Sequence, residues 1–187
     1  PAIYSLFSHR FAADADPLEL GRRLLRMVEG ADPLVADIHE PLRRIVRTHL
    51  RVFAENMPPG FDLRGASVGN LMLAAGYLDN ERDIDSVIYL FSKLVEVRGI
   101  VQPTVRDNLH LKAVLEDGRE VIGQHLLTGK AHQPISSPVR ELSLITNLKE
   151  AKPAACAIDD KVRKLITGSD VIVYPMGSFF SSIVANL

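Results

Sequence analysis

The sequence predicts an α/β protein whose first half is helical and whose second half supplies the strands. Up to residue 98, apolar residues recur at three- and four-residue spacing and no period-two run competes with them. From Gly99 onward apolar residues alternate along the chain, and Asp117-Gly118 marks a hairpin. We therefore expect one domain over residues 1–187, with a mainly helical part at 1–98 and a strand-rich part at 99–187.

The first long helix is expected from Pro17 to Gly30. Asp16 precedes it as a candidate N-cap, and Gly30 provides the C-terminal stop. We expect its inward face to consist of Leu18, Leu20, Leu24, Leu25 and Val28.

Two further helices are expected at Asp37–Met57 and Asp83–Val97. In the first, Pro41 is close enough to the start to be accommodated in a first turn, and Pro58-Pro59-Gly60 ends the pattern. The second is followed by Gly99. The expected inward residues are Ile38, Leu42, Ile45, Val46, Leu50 and Phe53 in the first and Ile84, Val87, Ile88, Phe91, Leu94 and Val95 in the second.

The second half is expected to supply strands around one antiparallel hairpin. Asp-Gly suits a tight turn, so Leu109–Leu115 is predicted to pair with Glu120–Leu126. The remaining predicted elements are strands at Ile100–Val105, Val139–Ile145 and Val171–Tyr174, an exposed connection at Thr128–Pro138, and a helix at Ala154–Ile166 closed by Gly168. The run Val171–Tyr174 is short and β-branched, which favours a parallel strand buried on both faces.

Composition excludes several classes of function. Lysine plus arginine (22) nearly balances aspartate plus glutamate (23), so no global field attracts the chain to nucleic acid or to an anionic membrane. No apolar run approaches the roughly 20 residues that span a bilayer. Cys156 is the only cysteine, which excludes an intrachain disulfide and favours a reducing, cytoplasmic compartment. Both ends, Pro1 and the apolar stretch Ser182–Leu187, are expected to be boundaries inside a longer protein.

The first candidate site is the turn Pro175–Ser182, which follows the last predicted strand and opens a helical pattern. Open α/β sheets bind ligands at such positions. Its glycine allows close backbone approach and its hydroxyls can donate to a phosphate, which gives the candidate residues Gly177, Ser178, Ser181 and Ser182. The alternative is that Gly177 only permits the turn while one serine caps the helix, and local spacing leaves both open.

The second candidate site is the stretch Arg64–Asn70, which precedes the apolar helix Leu71–Ala75. Ser67 and Asn70 could hydrogen-bond a sugar, phosphate or carboxylate at a helix N-terminus, with Gly69 keeping the approach open. In the alternative, Ser67 is an N-cap and Gly69 a close helix-packing contact, and spacing alone favours this alternative.

Other chemistries are not supported by motifs. The histidines lie at scattered spacings without a paired-ligand pattern, and no G-x-S-x-G nucleophile turn is present. Four arginines recur on one predicted helix, but neighbouring acids and the neutral total favour a solvated face over a nucleic-acid surface; they are Arg43, Arg44, Arg47 and Arg51.

Four motifs, in order, resemble those of the 2-phospho-L-lactate transferase (CofD-like) family. They are Arg64–Leu71, Val97–Pro103, Leu115–Gly118 and Tyr174–Leu187, and the resemblance is strong from about Phe61 onward. It implies a Rossmann-like three-layer α/β/α fold. It also implies that Gly177, Ser178, Ser181 and Ser182 bind phosphate or nucleotide, and that Ser67, Gly69 and Asn70 face the substrate.

The resemblance implies one of two functions. The family's named enzyme uses Mg²⁺ to transfer a 2-phospho-L-lactate-type group from a guanosine diphosphate carrier to the deazaflavin alcohol Fo. A sister branch, the gluconeogenesis-factor type, binds a UDP-sugar and acts in control of carbon metabolism and cell shape. A transferase is the first expectation, and a non-catalytic UDP-sugar-binding regulator is the alternative.

Two departures from the family pattern qualify these expectations. Nothing here matches the family's initial glycine-rich turn and aspartate-bearing segment, so the Mg²⁺ ligands are expected to lie outside this chain. The serines around Gly177 are more similar to the gluconeogenesis-factor branch.

A parallel strand at Val171–Tyr174 would need neighbours on both sides, so a homo-oligomer is also expected.

Overall fold

The computed structural model describes residues 2–127 and 135–174. The chain divides into two compact units, Pro1–Gln102 and Pro103–Leu187. Helices make up the first unit, and the second contains an antiparallel sheet, which confirms the α/β class. The single domain over residues 1–187 stays a prediction. None of the helices in these ranges is both long and apolar enough to cross a membrane.

The first unit is built from helices around one apolar core. Their bounds are α1 Ala2–Ser8, α2 Pro17–Glu29, α3 Pro33–Ala36, α4 Leu42–Asn56, α5 Val68–Asp79 and α6 Ile84–Leu94. The fully buried side chains at its centre include Leu6, Phe11, Leu24, Met27, Val46, Leu50, Met72 and Val87.

Helix α2 begins and ends where the sequence predicts. The Asp16 carboxylate accepts a hydrogen bond from the Leu18 amide at 3.2 Å. Gly30 adopts the left-handed conformation with φ 81°, and its amide donates to carbonyls of the last turn. These end contacts involve only neighbouring residues, which explains why they can be recognised without knowledge of the tertiary structure.

The predicted inward face of α2 is partly wrong. Leu18 is 71% exposed and Leu25 is 56% exposed, whereas Leu20, Leu24 and Met27 are buried. Leu20, Leu24 and Met27 follow each other by four and three positions and so lie on one side of the helix, whereas Leu18 and Leu25 lie on another side. A helix with leucines on two sides can turn only one of them toward a single core.

Helix α4 starts later than predicted, at Leu42 and not at Asp37. Asp37 instead ends the short helix α3. Pro41 has no amide hydrogen and disfavours helical conformation in the preceding residue, so the chain from Asp37 to Glu40 does not join α4. The predicted inward residues are confirmed, although Ile38 precedes the helix. Ile38, Val46, Leu50 and Phe53 are buried, and Leu42 and Ile45 pack against the core.

Helix α6 is shorter than predicted at its C-terminus. It ends at Leu94, with Val95 as its cap, and not at Val97. Glu96 has a positive φ of 55°, and the Val97 amide donates a hydrogen bond to the Ser92 carbonyl at 2.9 Å. This left-handed turn satisfies the final carbonyls and reverses the chain.

The second unit contains an antiparallel sheet in the order β2-β1-β3, formed by β1 His110–Leu115, β2 Glu120–Ile122 and β3 Val139–Ile145. The predicted hairpin is confirmed, with Ala113 opposite Val121 and Gly118 in the turn at φ 84°. Strand β3 has the predicted bounds. Strand β2 is shorter than predicted, because Gly123 at φ 103° ends it and the helix α7 Gln124–Leu127 follows.

The predictions of a strand at Ile100–Val105 and of a helix start at Ala154 are wrong. Ile100–Val105 is not a strand, and Pro103 lacks the amide that a strand partner would require. The last described helix, α8, spans Asp160–Thr167 and so starts later than the predicted Ala154. The Ala154 amide donates to the Leu144 carbonyl at 2.8 Å, which holds this part of the chain beside β3. Its closure by Gly168 is confirmed.

Val171–Tyr174 is neither a strand nor buried. Val171 and Val173 are 74% and 75% exposed, and Ile172 and Tyr174 are also exposed. No strand of the described residues pairs with this segment. A β-branched run acquires strand structure only when neighbouring backbone accepts and donates its hydrogen bonds, and that partner is not among residues 2–127 and 135–174.

Candidate functional site

The glycine-serine turn predicted to bind phosphate lies outside the described residues. This applies to all four of its candidate residues, Gly177, Ser178, Ser181 and Ser182. Their assignment to a phosphate or nucleotide stays a prediction.

The second candidate segment lies at the N-terminus of α5, as the sequence predicts. Ser67 precedes the helix in an extended conformation, and its hydroxyl oxygen accepts a hydrogen bond from the Asn70 amide at 3.5 Å. The Val68 amide donates to the carbonyl of His9 at 2.9 Å. Two of the amides at this helix end therefore already have protein acceptors, which leaves fewer donors for an anion than at an uncapped helix.

Gly69 and Asn70 occupy different environments although they are adjacent. Gly69 is buried, and a Cβ built on it would lie 2.5 Å from the Phe7 carbonyl oxygen. The Asn70 residue is exposed. Gly69 thus makes a close packing contact and Ser67 caps the helix, which is the alternative that the residue spacing favours. The Ser67 hydroxyl hydrogen and the Asn70 side-chain amide can still donate hydrogen bonds, and their assignment to a substrate stays a prediction.

The segment before α5 is held by a short antiparallel contact with residues 9–11. Phe11 donates its amide to the Ala66 carbonyl at 3.0 Å and accepts from the Gly65 amide at 3.1 Å. The Arg10 guanidinium donates to the Gly65 carbonyl at 3.1 Å. These bonds place a cationic side chain beside the start of α5. No local pattern indicates this contact, because the partners are 55 positions apart.

An exposed ion pair lies at the start of this segment. Arg64 donates to both carboxylate oxygens of Asp62, with the shortest contact at 2.7 Å. These hydrogen bonds from Arg64 lower the pKa of Asp62 to about 2. The pair occupies the Arg64 guanidinium, so Arg64 is not a free anion ligand in this geometry.

A buried polar cluster lies behind the same segment. Asp32 is only 3% exposed, and its carboxylate accepts from Arg23 at 3.0 Å and from the Leu34 amide at 3.0 Å. The Arg23 guanidinium also lies 5.9 Å from the centroid of the Phe11 ring. Residues from α2, the start of α3 and the chain after α1 are thereby joined by charge and packing.

His9 adds a titratable group to this cluster. Its Nε2 atom is buried and has no hydrogen-bond partner within residues 2–127 and 135–174. Burial lowers the pKa of His9, the Arg23 guanidinium lowers it further, and the Asp32 carboxylate opposes both effects. A neutral imidazole is favoured here, because its charged form would lose hydration beside an arginine.

The described residues do not provide a metal site. In these ranges no three histidine, cysteine, aspartate or glutamate side chains lie close enough together to hold an ion. Mg²⁺ is often held by one or two carboxylates together with waters and substrate phosphates, so the Mg²⁺ that the resemblance implies stays a prediction. Cys156 is exposed and free.

Similarity to known proteins extends over the whole chain. Residues 1–187 match the model of the family described as 2-phospho-L-lactate transferase CofD. The gluconeogenesis factor of Bacillus subtilis (strain 168) is 28% identical over 166 residues, which is 89% of this chain and 44% of that protein. A protein of Thermoanaerobacterium thermosulfurigenes with a provisional gluconeogenesis-factor name is 33% identical over 125 residues, covering 67% of this chain and 36% of that protein.

The fold is also similar to a solved structure. A crystal structure of a Bacillus halodurans protein aligns with 99% of this chain and 57% of its own chain, at 25% identity and a TM-score of 0.50. A second structure from that organism, of a UPF0052 family member, aligns with 95% of this chain and 52% of its own at 24% identity and the same TM-score of 0.50. The chain spans less than half the length of the two curated relatives. The match over all 187 residues shows that this chain belongs to the CofD family.

Proposed function

We propose that this chain is a ligand-binding part of a gluconeogenesis-factor-type regulator that recognises a UDP-sugar and acts in control of carbon metabolism. The observation that carries the proposal is the alignment of 89% of the chain with a protein named gluconeogenesis factor. The serine pattern after Gly177 supports the same branch. The cytoplasm is the proposed compartment.

The proposed ligand contacts divide between two segments. Gly177, Ser178, Ser181 and Ser182 would bind the diphosphate, since glycine and hydroxyl donors at a helix start suit a phosphate. The Ser67 hydroxyl and the Asn70 amide would donate to the sugar or to a phosphate oxygen. Gly69 contributes by packing α5 against Phe7, which holds both donors in place.

The second candidate function is group transfer. The match of residues 1–187 to a family described as 2-phospho-L-lactate transferase favours it. In that case a phosphorylated small-acid group would move from a nucleotide diphosphate carrier to the hydroxyl of an acceptor such as Fo. Mg²⁺ would neutralise phosphate charge, with ligands from outside this chain, and alignment would matter more than one proton shuttle.

Ligand-dependent unfolding followed by a transfer assay distinguishes the two functions. The melting temperature should rise with a UDP-sugar, because a ligand that binds only the folded state stabilises it. The same series is run with GDP, with and without Mg²⁺, and then with a GDP-linked phospholactate donor and Fo. A rise with the UDP-sugar and no product supports the regulator, whereas formation of product supports the transferase. No rise with either nucleotide contradicts both.

A further inference from the structure

A cavity of about 620 Å³ lies along one side of α4. We call it the arginine groove, and its lining residues are Glu40, Pro41, Arg44, Arg47, Thr48 and Arg51. Its volume lies in the range of small-molecule sites, roughly 300 to 1,000 Å³. Its lining residues are mostly polar or cationic, unlike those of the apolar core on the opposite side of the same helix.

Helical spacing brings the three arginines together. Arg47 and Arg51 follow Arg44 by three and seven positions, so the three side chains project from one side of the helix. Thr48 lies between them, and its hydroxyl donates to the Arg44 carbonyl at 3.0 Å, so the arginines are the donors offered to a ligand. A repeat of this kind presents several guanidinium groups to one ligand at the same time.

Arg47 is held in position before any ligand arrives. Its Nε donates to the Val28 carbonyl in the last turn of α2 at 2.9 Å. Its side chain also passes close to Gly30, where a Cβ would lie 3.1 Å from the Arg47 Cδ. The Nε edge of the guanidinium is therefore fixed by protein, and the terminal nitrogens of Arg47 form no ion pair within the part of the chain that the structure describes. Such preorganisation reduces the entropy lost on binding.

The positive charge of the groove is not neutralised by the described residues. No ion pair among them involves Arg44, Arg47 or Arg51. The lining includes one carboxylate, Glu40, which accepts from the Arg43 Nε at 3.1 Å and from the Arg44 backbone amide at 3.3 Å. Three guanidinium groups against one carboxylate leave a net charge of two in a chain whose total is −1.

We propose that the arginine groove binds a small anion with adjacent phosphate groups. The planar guanidinium fork matches two phosphate oxygens at once, and neighbouring arginines can each take one phosphate. A nucleic acid would need a longer basic surface than one side of a fifteen-residue helix. The site is independent of the proposed function, because it uses residues other than the Pro175–Ser182 turn.

Titration of the whole chain with inorganic pyrophosphate tests this site. The titration is made in the Gly177→Val background, in which binding at the proposed glycine-serine turn is expected to be lost, so that the two sites are separated. Arg44→Gln/Arg51→Gln should weaken pyrophosphate binding about tenfold or more, because it removes two charge-assisted contacts. The Nε–Hε signal of Arg47 in a ¹H–¹⁵N spectrum should move with pyrophosphate. Sulfate and citrate should bind more weakly.

A matched double variant controls for net charge. Arg22→Gln/Arg98→Gln removes two exposed arginines outside the groove and should change the affinity less than about twofold. Equal losses in both double variants, an unmoved Arg47 signal, or tighter binding of an RNA oligonucleotide would overturn the proposal. Should Arg44→Gln/Arg51→Gln not fold, Arg44→Lys/Arg51→Lys keeps the charge without the fork and should still weaken binding. Full affinity in the lysine variant also contradicts the phosphate geometry.

Discussion

Gly69 of α5 lies so close to Phe7 of α1 that a Cβ on Gly69 would be 2.5 Å from the Phe7 carbonyl oxygen. The same Cβ would lie 2.7 Å from a carbon of the Phe7 ring, which itself packs against Phe91 at a centroid distance of 5.5 Å. The start of α5 is therefore positioned by contacts that only glycine permits. This relationship fixes the donors of Ser67 and Asn70 relative to the rest of the first unit.

The first prediction is that Gly69→Ala destabilises the protein by about 1–3 kcal/mol, the usual cost of overpacking a close contact. The obstacle is a backbone atom, so a side-chain rotation cannot relieve it. The matched control is Gly21→Ala in α2, where a Cβ would meet nothing within 4 Å. That change should stabilise the protein by roughly 0.5–1 kcal/mol, because alanine is the better helix former. Urea unfolding measures both, and a gain in stability for Gly69→Ala would refute the close approach.

The second prediction concerns the sheet of the second unit. Leu111 is buried in β1, and Leu111→Ala should lower the free energy of unfolding by roughly 2–5 kcal/mol through the cavity it leaves. Lys112, the next residue, pairs with Glu120 at 2.7 Å near the surface. Lys112→Ala should cost no more than about 1 kcal/mol. Similar losses for the two variants would contradict the assignment of Leu111 to the core.

The third prediction separates the ligand site from the scaffold. Gly177→Val should abolish the rise in melting temperature with a UDP-sugar while lowering stability only modestly, because a branched side chain would obstruct the approach of the phosphate. Gly99→Val is the control, since a Cβ at Gly99 would meet nothing within 4 Å. An unchanged ligand-dependent shift in Gly177→Val would remove the turn from the proposed site.

The fourth prediction concerns pH. Burial lowers the pKa of His9 below 6.5, so the unfolded chain takes up a proton before the folded chain does. The contribution of His9 is complete above pH 6.5 and is lost as the pH falls toward the lowered pKa of the folded state. The free energy of unfolding should therefore decrease less steeply between pH 7.5 and 5 in His9→Gln than in the unchanged protein. His39→Gln, at an exposed position, is the control, and parallel curves for all three proteins would count against a lowered pKa of His9.

Features set by neighbouring residues could be predicted from the sequence. The Asp16 and Gly30 ends of α2 and the Gly118 hairpin depend on local hydrogen bonds and on left-handed backbone at glycine. Some of the failures, in contrast, depend on partners elsewhere in the chain. Ala154 is extended because Leu144 accepts its amide, a bond that competes with helix formation and that no local pattern reveals.

The same distinction applies to the candidate site. Ser67 was recognisable because a serine before an apolar helix is a cap, whether or not it also binds a ligand. The Arg23–Asp32 pair and His9 come from different elements and meet only through packing, so spacing along the chain gives no sign of them. The sequence therefore predicts the start of the helix but not the charged residues behind it.

The last prediction is self-association through Val171–Tyr174. This run is exposed, and its backbone has no strand partner among residues 2–127 and 135–174. An apolar β-branched segment of this kind tends to pair with another strand edge, so we expect association that increases with protein concentration in light scattering. Val171→Lys/Val173→Lys should abolish it, because lysines on an edge oppose strand pairing. Leu18→Lys/Leu25→Lys alters two exposed apolar residues on α2, whose backbone is already hydrogen-bonded, and should leave association unchanged. A monomer at all concentrations would show that exposure of this segment does not drive assembly, and loss of association in both variants would mean that apolar surface alone, without strand pairing, is responsible.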